Sequence, residues 1–247
     1  YTLYNNVFPP FKAALDAGVS TFMNSFNTLN EIPATGSKFL QRDVLKGDWG
    51  FEGFVVSDWG SIGEMIPHGY AKDGVHAAEL AANAGSDMDM ESSLYVRELQ
   101  GLVAEGKVDI SVVDDAVKRI LGVKYDLGLF EDPYKYCDLD REKNIIGSKE
   151  NNLAALDMAK KSIVLLKNES SLLPIKKKGQ KITLIGHLAN DNNSPLGNWR
   201  GAADSNTAVT VLEGLEQYGD NSINYKKGVD LYYGETNFHN RVKLNHT

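Results

Sequence analysis

The sequence predicts an α/β protein in which parallel strands alternate with helices. Strand-like segments end near Phe26, Asp58 and Met90, at intervals of 32 residues, and this period suits one strand plus one helix per unit of a parallel sheet, closed or open. The composition, with 42% hydrophobic and 24% charged residues, is that of an ordinary globular chain. A length of 247 residues allows one large domain or two modest ones.

The first elements follow from local sequence signals. Residues 7–17 are predicted to form a helix that two prolines open and Gly18 ends. Residues 19–26 are predicted to form a strand, residues 37–46 a short helix, and the apolar residues 54–57 a second strand.

The next elements continue the alternation up to a long helix. The alanine-rich residues 75–83 predict a helix, and residues 86–90 predict a short strand after it. Two further helices are predicted over residues 94–104 and 111–127, the second with Ser111 as its N-cap.

A new α/β pattern begins after residues 129–148, which are mostly polar, have no clear period and are predicted to be a linker. Residues 149–162 predict a helix, residues 181–186 a strand and residues 208–218 a further helix. We therefore expect a second α/β domain after the linker.

Asp58 is the most informative residue of the chain. It follows an apolar strand and is followed by Trp59. A carboxylate in that position costs free energy unless it is solvated, paired or used in chemistry, and in barrels of alternating strands and helices the catalytic groups lie at the C-terminal strand ends. The local pattern alone leaves open that Asp58 is a helix N-cap or an edge residue.

A second group of acidic residues lies on the segment 86–90 and just after it. Asp87, Asp89 and Glu91 alternate and are predicted to share one face of a strand. A structural role is favoured, with Mg²⁺ binding by an unrelated α/β enzyme as the alternative, since the spacing fits no known metal-binding loop. The five histidines show no zinc-ligand spacing, so we predict no metal site and no cofactor; they are His68, His76, His187, His239 and His246.

Charge and composition limit the classes of partner. A net charge of −7 argues against a nucleic-acid partner, which needs a concentrated basic face. No stretch approaches the ~20 apolar residues that a membrane span needs. Cys137 is the single cysteine, so cysteine usage does not determine the redox compartment. Nothing in the sequence indicates an oligomeric state.

Residues 48–60, which include Asp58 and Trp59, resemble almost letter for letter the nucleophile segment of glycoside hydrolase family 3. The resemblance runs through nearly the whole chain; its other segments are 81–90, 128–130 with 132–134, and 162–168 with 173–174. It implies a (β/α)8 barrel followed by an α/β sandwich, with the active site at their junction. Residues 1–128 are then the C-terminal portion of the barrel, and residues 149–247 the N-terminal portion of the sandwich.

The resemblance also implies the roles of individual residues. Asp58 takes the place of the nucleophile in a reaction that retains configuration, which needs two carboxyl groups about 5–5.5 Å apart. The expected substrate-binding residues are Trp59, Phe26, Met23, Ser25 and Trp199. Aromatic rings, such as those of Trp59, Phe26 and Trp199, stack on the apolar faces of sugars. Core packing of Trp59 and local anchoring of the loop around Trp199 are the alternatives.

Two departures from the family pattern lower the activity that we expect of this chain. Three strands cannot close a barrel of eight, which typically takes ~250 residues, so we expect a chain truncated at both ends and little activity from it alone. The acid/base glutamate of the family belongs to a later loop of the second domain. We expect it to be absent and do not assign that role to Glu235, which follows Gly234 without the Ser-Arg pair that usually comes after it.

The pair Asp58-Trp59 resembles the β-glucosidase and β-glucan exohydrolase branch of the family. Members that act on xylosides often have cysteine after the nucleophile. The resemblance therefore implies a retaining, exo-acting enzyme for β-glucosides or β-gluco-oligosaccharides, in the periplasm or outside the cell. A β-xylosidase of the same family and a non-catalytic remnant that still binds sugar are the alternatives.

Overall fold

The structure is a computed structural model that describes residues 1–201 and 203–229. The chain forms two compact units, Tyr1–Ile146 and Gly147–Thr247, and each is described by itself. The boundary between them falls inside the predicted linker 129–148. The division into domains 1–128 and 149–247 stays a prediction.

The first unit alternates short strands with helices. A π-helix, Leu3–Val7, leads directly into the first α-helix, and a second π-helix spans Phe39–Asp48 where the sequence predicts a short helix. The strands are β1 (Thr21–Met23), β2 (Thr28–Leu29), β3 (Ile32–Pro33) and β4 (Phe54–Val56). The α-helices are α1 (Phe8–Asp16), α2 (Ser61–Glu64), α3 (Gly74–Ala84), α4 (Leu94–Ala104), α5 (Ile110–Asp126) and α6 (Leu139–Ile145).

The parallel sheet that the 32-residue period predicts is present. Strands β1 and β4 pair in parallel, with Met23 opposite Val56, and Val56 forms a parallel bridge with Met88. The predicted strand over residues 86–90 is therefore reduced to a single bridge. Strand β1 is also shorter than the predicted 19–26, because the chain turns after Met23 towards the small antiparallel pair β2–β3.

The prediction that Ser111 is the N-cap of the long helix α5 is wrong. Helix α5 begins one residue before Ser111, and Asp109 is its N-cap, with its carboxylate accepting a hydrogen bond from the Ser111 amide at 2.8 Å. Aspartate and serine are both good N-caps, and here the aspartate stands where the chain leaves the buried Val108.

Two apolar clusters hold the first unit together. The larger one joins α2, α3 and α4 around Ile62, Met65, the alanines of α3 and Leu102. The smaller one lies under the sheet and contains Leu45, Phe51 and Val55, with Phe22 packed against it. Because alanine side chains are small, α3 lies close to its neighbours, and the strand ends are supported from one side by packed helices.

Gly53 is required because the start of β4 lies very close to the residue that precedes β1, its neighbour in the sheet. A Cβ atom at this position would lie 2.0 Å from the Ser20 carbonyl oxygen and 2.7 Å from the Phe51 ring. We expect Gly53→Ala to lower the free energy of unfolding by about 2 kcal/mol or more, because the extra methyl forces backbone apart. Urea unfolding followed by tryptophan fluorescence measures the change.

Gly122 provides the matched control for that substitution. It lies within α5, and a Cβ atom there meets nothing within 4 Å. Gly122→Ala should raise stability by up to about 1 kcal/mol, because alanine is the better helix former. Equal effects of the two substitutions would contradict the close approach at Gly53.

Within residues 147–201 and 203–229, the second unit contains a parallel pair of strands and two α-helices. Helix α7 (Lys149–Ser162) is followed by β5 (Lys178–Ile185), α8 (Val211–Gln217) and β6 (Asp220–Lys226). Strands β5 and β6 pair in parallel, with Ile182 opposite Ile223. Thr210 and Glu213 form a capping box at the start of α8, so the helix begins three residues later than the predicted 208 and ends at Gln217, one residue before the predicted end.

No helix within residues 1–201 and 203–229 has both the length and the apolar content that crossing a bilayer requires.

Candidate active site

The sheet register brings the predicted site residues of the first unit to one edge. Met23, Val56 and Met88 stand at the same level of three neighbouring strand positions. Ser25, Asp58 and Met90 each follow one of these residues by two positions, beyond the regular pairing, so the chain places them at the same end of the strands. That edge is the C-terminal edge of the parallel sheet, where ligands usually bind.

Asp58 is half-buried at this edge and has one oxygen held in place. Its Oδ1 accepts a hydrogen bond from the Trp59 backbone amide at 2.7 Å. Oδ2 accepts no hydrogen bond from any residue within 1–201 or 203–229. The N-cap of α2 is Gly60, so Asp58 does not cap that helix. A fixed carboxylate with a free oxygen is suited to nucleophilic attack.

Trp59 points its ring out of the core, with 50% of the residue exposed. The chain turns sharply after it, because Gly60 has a φ of 70°, a conformation that favours glycine. The Gly60 amide donates to the Met90 carbonyl at 2.9 Å. Trp59 is therefore not a core side chain, and its ring is free to contact a ligand.

The remaining predicted residues occupy different places. Met23 is 51% exposed, Ser25 is exposed, and Phe26 is half-buried in the turn that follows β1. Trp199 belongs to the second unit, where it follows the 3₁₀ turn Ser194–Leu196 and is 75% exposed. The first unit thus holds five of the six predicted site residues, and the second unit holds the sixth.

A cavity of about 430 Å³ lies beside β1, and Val55 of β4 is among its lining residues. Met23 and Ser25 line it, together with aromatic residues such as Phe8, Phe22 and Trp49. Asp58 and Trp59 are not among its lining residues. We identify the candidate site by the carboxylate at the strand ends, because this cavity offers mainly apolar surface and no acidic group.

Asp87, one of the acidic residues singled out from the sequence, is in a buried ion pair. The Lys46 ammonium lies 2.6 Å from its Oδ1 and 2.8 Å from its Oδ2, and the two side chains are only 6% and 2% exposed. Oδ2 also accepts from the Val55 amide at 2.8 Å. Burial lowers the pKa of Lys46, and the nearby Asp87 carboxylate offsets part of that shift. These contacts leave Asp87 no oxygen for a metal ion.

Asp89 and Glu91 do not share one face with Asp87, so the predicted arrangement is wrong. Asp89 Oδ2 accepts from the Leu94 and Tyr95 amides at 2.7 and 3.2 Å and so caps α4. Glu91 is exposed and has a φ of 76°, because the chain leaves the strand position after the single bridge at Met88. Within the described residues no group of acidic, histidine or cysteine side chains could hold a metal ion.

Tyr95 links α4 to the strand end, since its hydroxyl donates to the Ser86 carbonyl at 2.8 Å. Burial, followed by the charges of Asp89 and Asp87, raises the pKa of Tyr95 well above 10. The unfolded chain therefore loses this proton at lower pH than the folded chain. Stability from Tyr95 is full below pH 10 and declines as the pH rises above it.

We expect Tyr95→Phe to weaken this alkaline loss of stability. The variant removes a hydrogen bond and should be less stable at pH 8, but the difference from the wild type should narrow above pH 10. Urea unfolding at pH 8 and at pH 11 measures both effects. Tyr125→Phe is the control, because Tyr125 is 67% exposed, and a constant Tyr95→Phe difference across this range would contradict the assignment.

A buried polar network that sequence reasoning missed joins Asn24, just after β1, to Thr35, Gln41 and Ser86. The Asn24 side-chain amide donates to Ser86 Oγ at 2.8 Å, and its oxygen accepts from Thr35 Oγ1 at 3.1 Å. Gln41 Nε2 donates to the Ala34 and Thr35 carbonyls at 3.0 and 2.9 Å. Single polar residues in apolar surroundings were the available signal, but their partners lie 6 to 62 positions away along the chain.

Comparison with known proteins gives two family matches. The model of the glycosyl hydrolase family 3 N-terminal domain matches residues 2–123, and that of the glycosyl hydrolase family 3 C-terminal domain matches residues 163–244. The second match includes residues beyond 229, whose structure is not described.

Curated relatives carry glycosidase names. A periplasmic beta-glucosidase of Salmonella typhimurium is 42% identical over 234 residues, which is 93% of this chain and 30% of that protein. A xylan 1,4-beta-xylosidase of Xylanibacter ruminicola is 33% identical over 90% of this chain and 26% of its own length. The chain thus spans about a third or less of these relatives.

Solved structures agree with these matches. A beta-glucosidase from Listeria innocua, solved in complex with glucose, superimposes with a TM-score of 0.75 at 38% identity. The superposition covers 98% of this chain and 32% of that one. A mutant of the same enzyme was solved in complex with laminaribiose.

Proposed function

Because this chain belongs to glycosyl hydrolase family 3, we propose that the complete protein is a retaining, exo-acting β-glucosidase with Asp58 as its nucleophile. The predicted fold class, the C-terminal part of a (β/α)8 barrel followed by the beginning of an α/β sandwich, is confirmed by the family and by its solved relatives. The observation that carries the proposal is the Asp58 carboxylate, held through one oxygen at the C-terminal sheet edge beside the exposed Trp59 ring.

The chemistry follows from that geometry. The free Asp58 oxygen attacks the anomeric carbon of a terminal β-glucosyl residue, and the bond from that carbon to the leaving oxygen breaks. A second carboxyl group gives the leaving oxygen its proton. Water then attacks the glycosyl–Asp58 ester, losing a proton to that second group, so the sugar is released with its configuration retained.

The second carboxyl group is not assigned to a residue of this chain. Asp87 is paired with Lys46, and Asp89 binds the first amides of α4 through Oδ2 while its Oδ1 is buried, so neither is exposed to a leaving group. Gly234 and Glu235, which the sequence analysis considered and did not assign, lie outside the described residues.

Contacts with the sugar are proposed for the exposed side chains around the nucleophile. Trp59 offers an aromatic face for the apolar side of a pyranose ring, and such stacking is favourable. Met23 pairs with Val56, two residues before Asp58, and Ser25 and Phe26 follow Met23 in the chain. Trp199 is proposed as a further contact from the second unit, because its ring is largely exposed.

Glucose is favoured over xylose as the substrate sugar. The 42% identical relative bears the name β-glucosidase, and Trp59 stands where xyloside-acting members often have cysteine. The second candidate is a β-xylosidase, which the name of the 33% identical relative supports. A periplasmic location is proposed from the first of these relatives.

Turnover of 4-nitrophenyl β-glucoside and β-xyloside by the complete protein tests the proposal. We expect kcat/KM to be at least about 10-fold higher for the glucoside, as a pocket suited to one substrate supplies roughly 1–3 kcal/mol of discrimination. Proton NMR of the first product should show the β-anomer. A higher kcat/KM for the xyloside would favour the second candidate, and an initial α-anomer would contradict retention.

A further inference from the structure

Ser57 is completely buried, at 0% exposure, directly before the proposed nucleophile. Its backbone amide donates to the Met88 carbonyl at 2.8 Å. Its hydroxyl accepts from the Met90 amide at 2.8 Å and donates to the Asp58 carbonyl at 3.0 Å. Both hydrogen-bonding roles of the hydroxyl are therefore used, and they join the backbone of Asp58 to the neighbouring strand end.

The Ser57 hydroxyl makes these hydrogen bonds just beyond the end of the regular strand pairing. The ladder between β1 and β4 ends at Val56, so Asp58 lies beyond the regular pairing. The Asp58 carboxylate is held only by the amide of the next residue, Trp59, among the residues described. The direction of the free carboxylate oxygen therefore depends on the backbone of residues 57–59, and Ser57 is the side chain that fixes this backbone.

We propose that Ser57 is a positioning residue for nucleophilic attack, a role that depends on the proposed function. The Asp58 carbonyl also accepts from the Ser61 amide at 3.1 Å, but the Ser57 hydroxyl is the side-chain group that joins this carbonyl to the Met90 amide, so that the free carboxylate oxygen stays directed at the anomeric carbon. Attack requires the reacting atoms about 3–3.5 Å apart and aligned, and a displacement of about 1 Å costs about 100-fold in rate. Ser57 itself does not touch the substrate.

The experiment uses the complete protein and 2,4-dinitrophenyl 2-deoxy-2-fluoro-β-glucoside, whose leaving group needs no proton. One dinitrophenolate is released per working site, so its amplitude counts the folded, active molecules. The rate constant of this release at saturation reports attack by Asp58, and the half-saturating concentration reports binding. The wild type is compared with Ser57→Ala, Ser57→Thr and Ser86→Ala.

Ser86→Ala is the matched control. Ser86 is also a buried serine, 3% exposed, with its hydroxyl in the polar network below the sheet. It makes no hydrogen bond to Asp58, so its loss should lower thermal stability and leave the rate constant per working site unchanged.

We expect Ser57→Ala to lower the saturating rate constant per working site by about 10- to 100-fold, with half-saturation changed less than about 2-fold. Ser57→Thr, which keeps the hydroxyl, should recover most of that rate in the molecules that fold. A rate constant for Ser57→Ala equal to that of Ser86→Ala would overturn the positioning role. No release of dinitrophenolate by the wild type would overturn the proposed function and this inference with it.

Discussion

Replacing Asp58 by alanine should abolish the hydrolysis of β-glucosides by the complete protein, lowering kcat by about 10⁴-fold or more. In the proposed mechanism this carboxylate forms the covalent bond to the sugar, so its loss removes the first chemical step. Thermal stability should change little, because Asp58 is only half-buried and accepts a single hydrogen bond, from the amide of the next residue. Turnover of 2,4-dinitrophenyl β-glucoside measures the loss.

Azide distinguishes a lost nucleophile from a damaged site. In Asp58→Ala the small anion can enter the space left by the carboxylate and attack the anomeric carbon while dinitrophenolate leaves. We expect azide to restore turnover and to yield the α-glucosyl azide. Asp43→Ala, which removes an exposed carboxylate of the same unit, is the control and should keep full activity without azide. Activity of Asp58→Ala within 10-fold of the wild type would contradict the nucleophile assignment.

The second large effect concerns the buried ion pair between Lys46 and Asp87. Lys46→Met keeps the apolar stem of the side chain but leaves the Asp87 carboxylate buried without its cation. Breaking a buried pair in this way costs about 3–5 kcal/mol. Because Asp87 also accepts from the Val55 amide within β4, the loss of stability should extend to the strand that precedes Asp58.

Urea unfolding followed by tryptophan fluorescence measures this cost, since Trp49 and Trp59 report on the first unit. Lys12→Met is the control: Lys12 pairs with Asp16 on the surface of α1, and an exposed pair of this kind contributes about 0.5 kcal/mol or less. Similar midpoints for the two variants would show that the buried pair contributes no more than a surface pair.

The sequence predicts several helices and the place of Asp58 for physical reasons, but it misses α2 and also α6, which lies within the predicted linker 129–148. Apolar residues at helical spacing indicate α4 and α5 independently of their surroundings. The strand ends 32 residues apart predict a parallel sheet, and in the structure the offsets are 33 residues from Met23 to Val56 and 32 from Val56 to Met88. The apolar run before Asp58 therefore suffices to put its carboxylate at the sheet edge.

The buried polar contacts of the first unit could not be predicted in the same way. Lys46 and Asp87 are 41 residues apart, and no periodic pattern pairs them, because their contact depends on how the helix Phe39–Asp48 packs on the sheet. The hydrogen bonds of Asn24 and of the Ser57 hydroxyl likewise join residues that are far apart in the chain, so they depend on the tertiary structure. The alternation of Asp87, Asp89 and Glu91 suggested one acidic face, but a strand reduced to one bridge does not maintain the alternation beyond Met88.

The identity of the labelled residue tests the central claim most directly. After the complete protein reacts with 2,4-dinitrophenyl 2-deoxy-2-fluoro-β-glucoside, proteolysis and tandem mass spectrometry locate the fluoroglucosyl ester. The geometry at the sheet edge predicts one ester per molecule, on the carboxylate between Ser57 and Trp59. An ester on any other carboxylate would show that Asp58 is not the nucleophile.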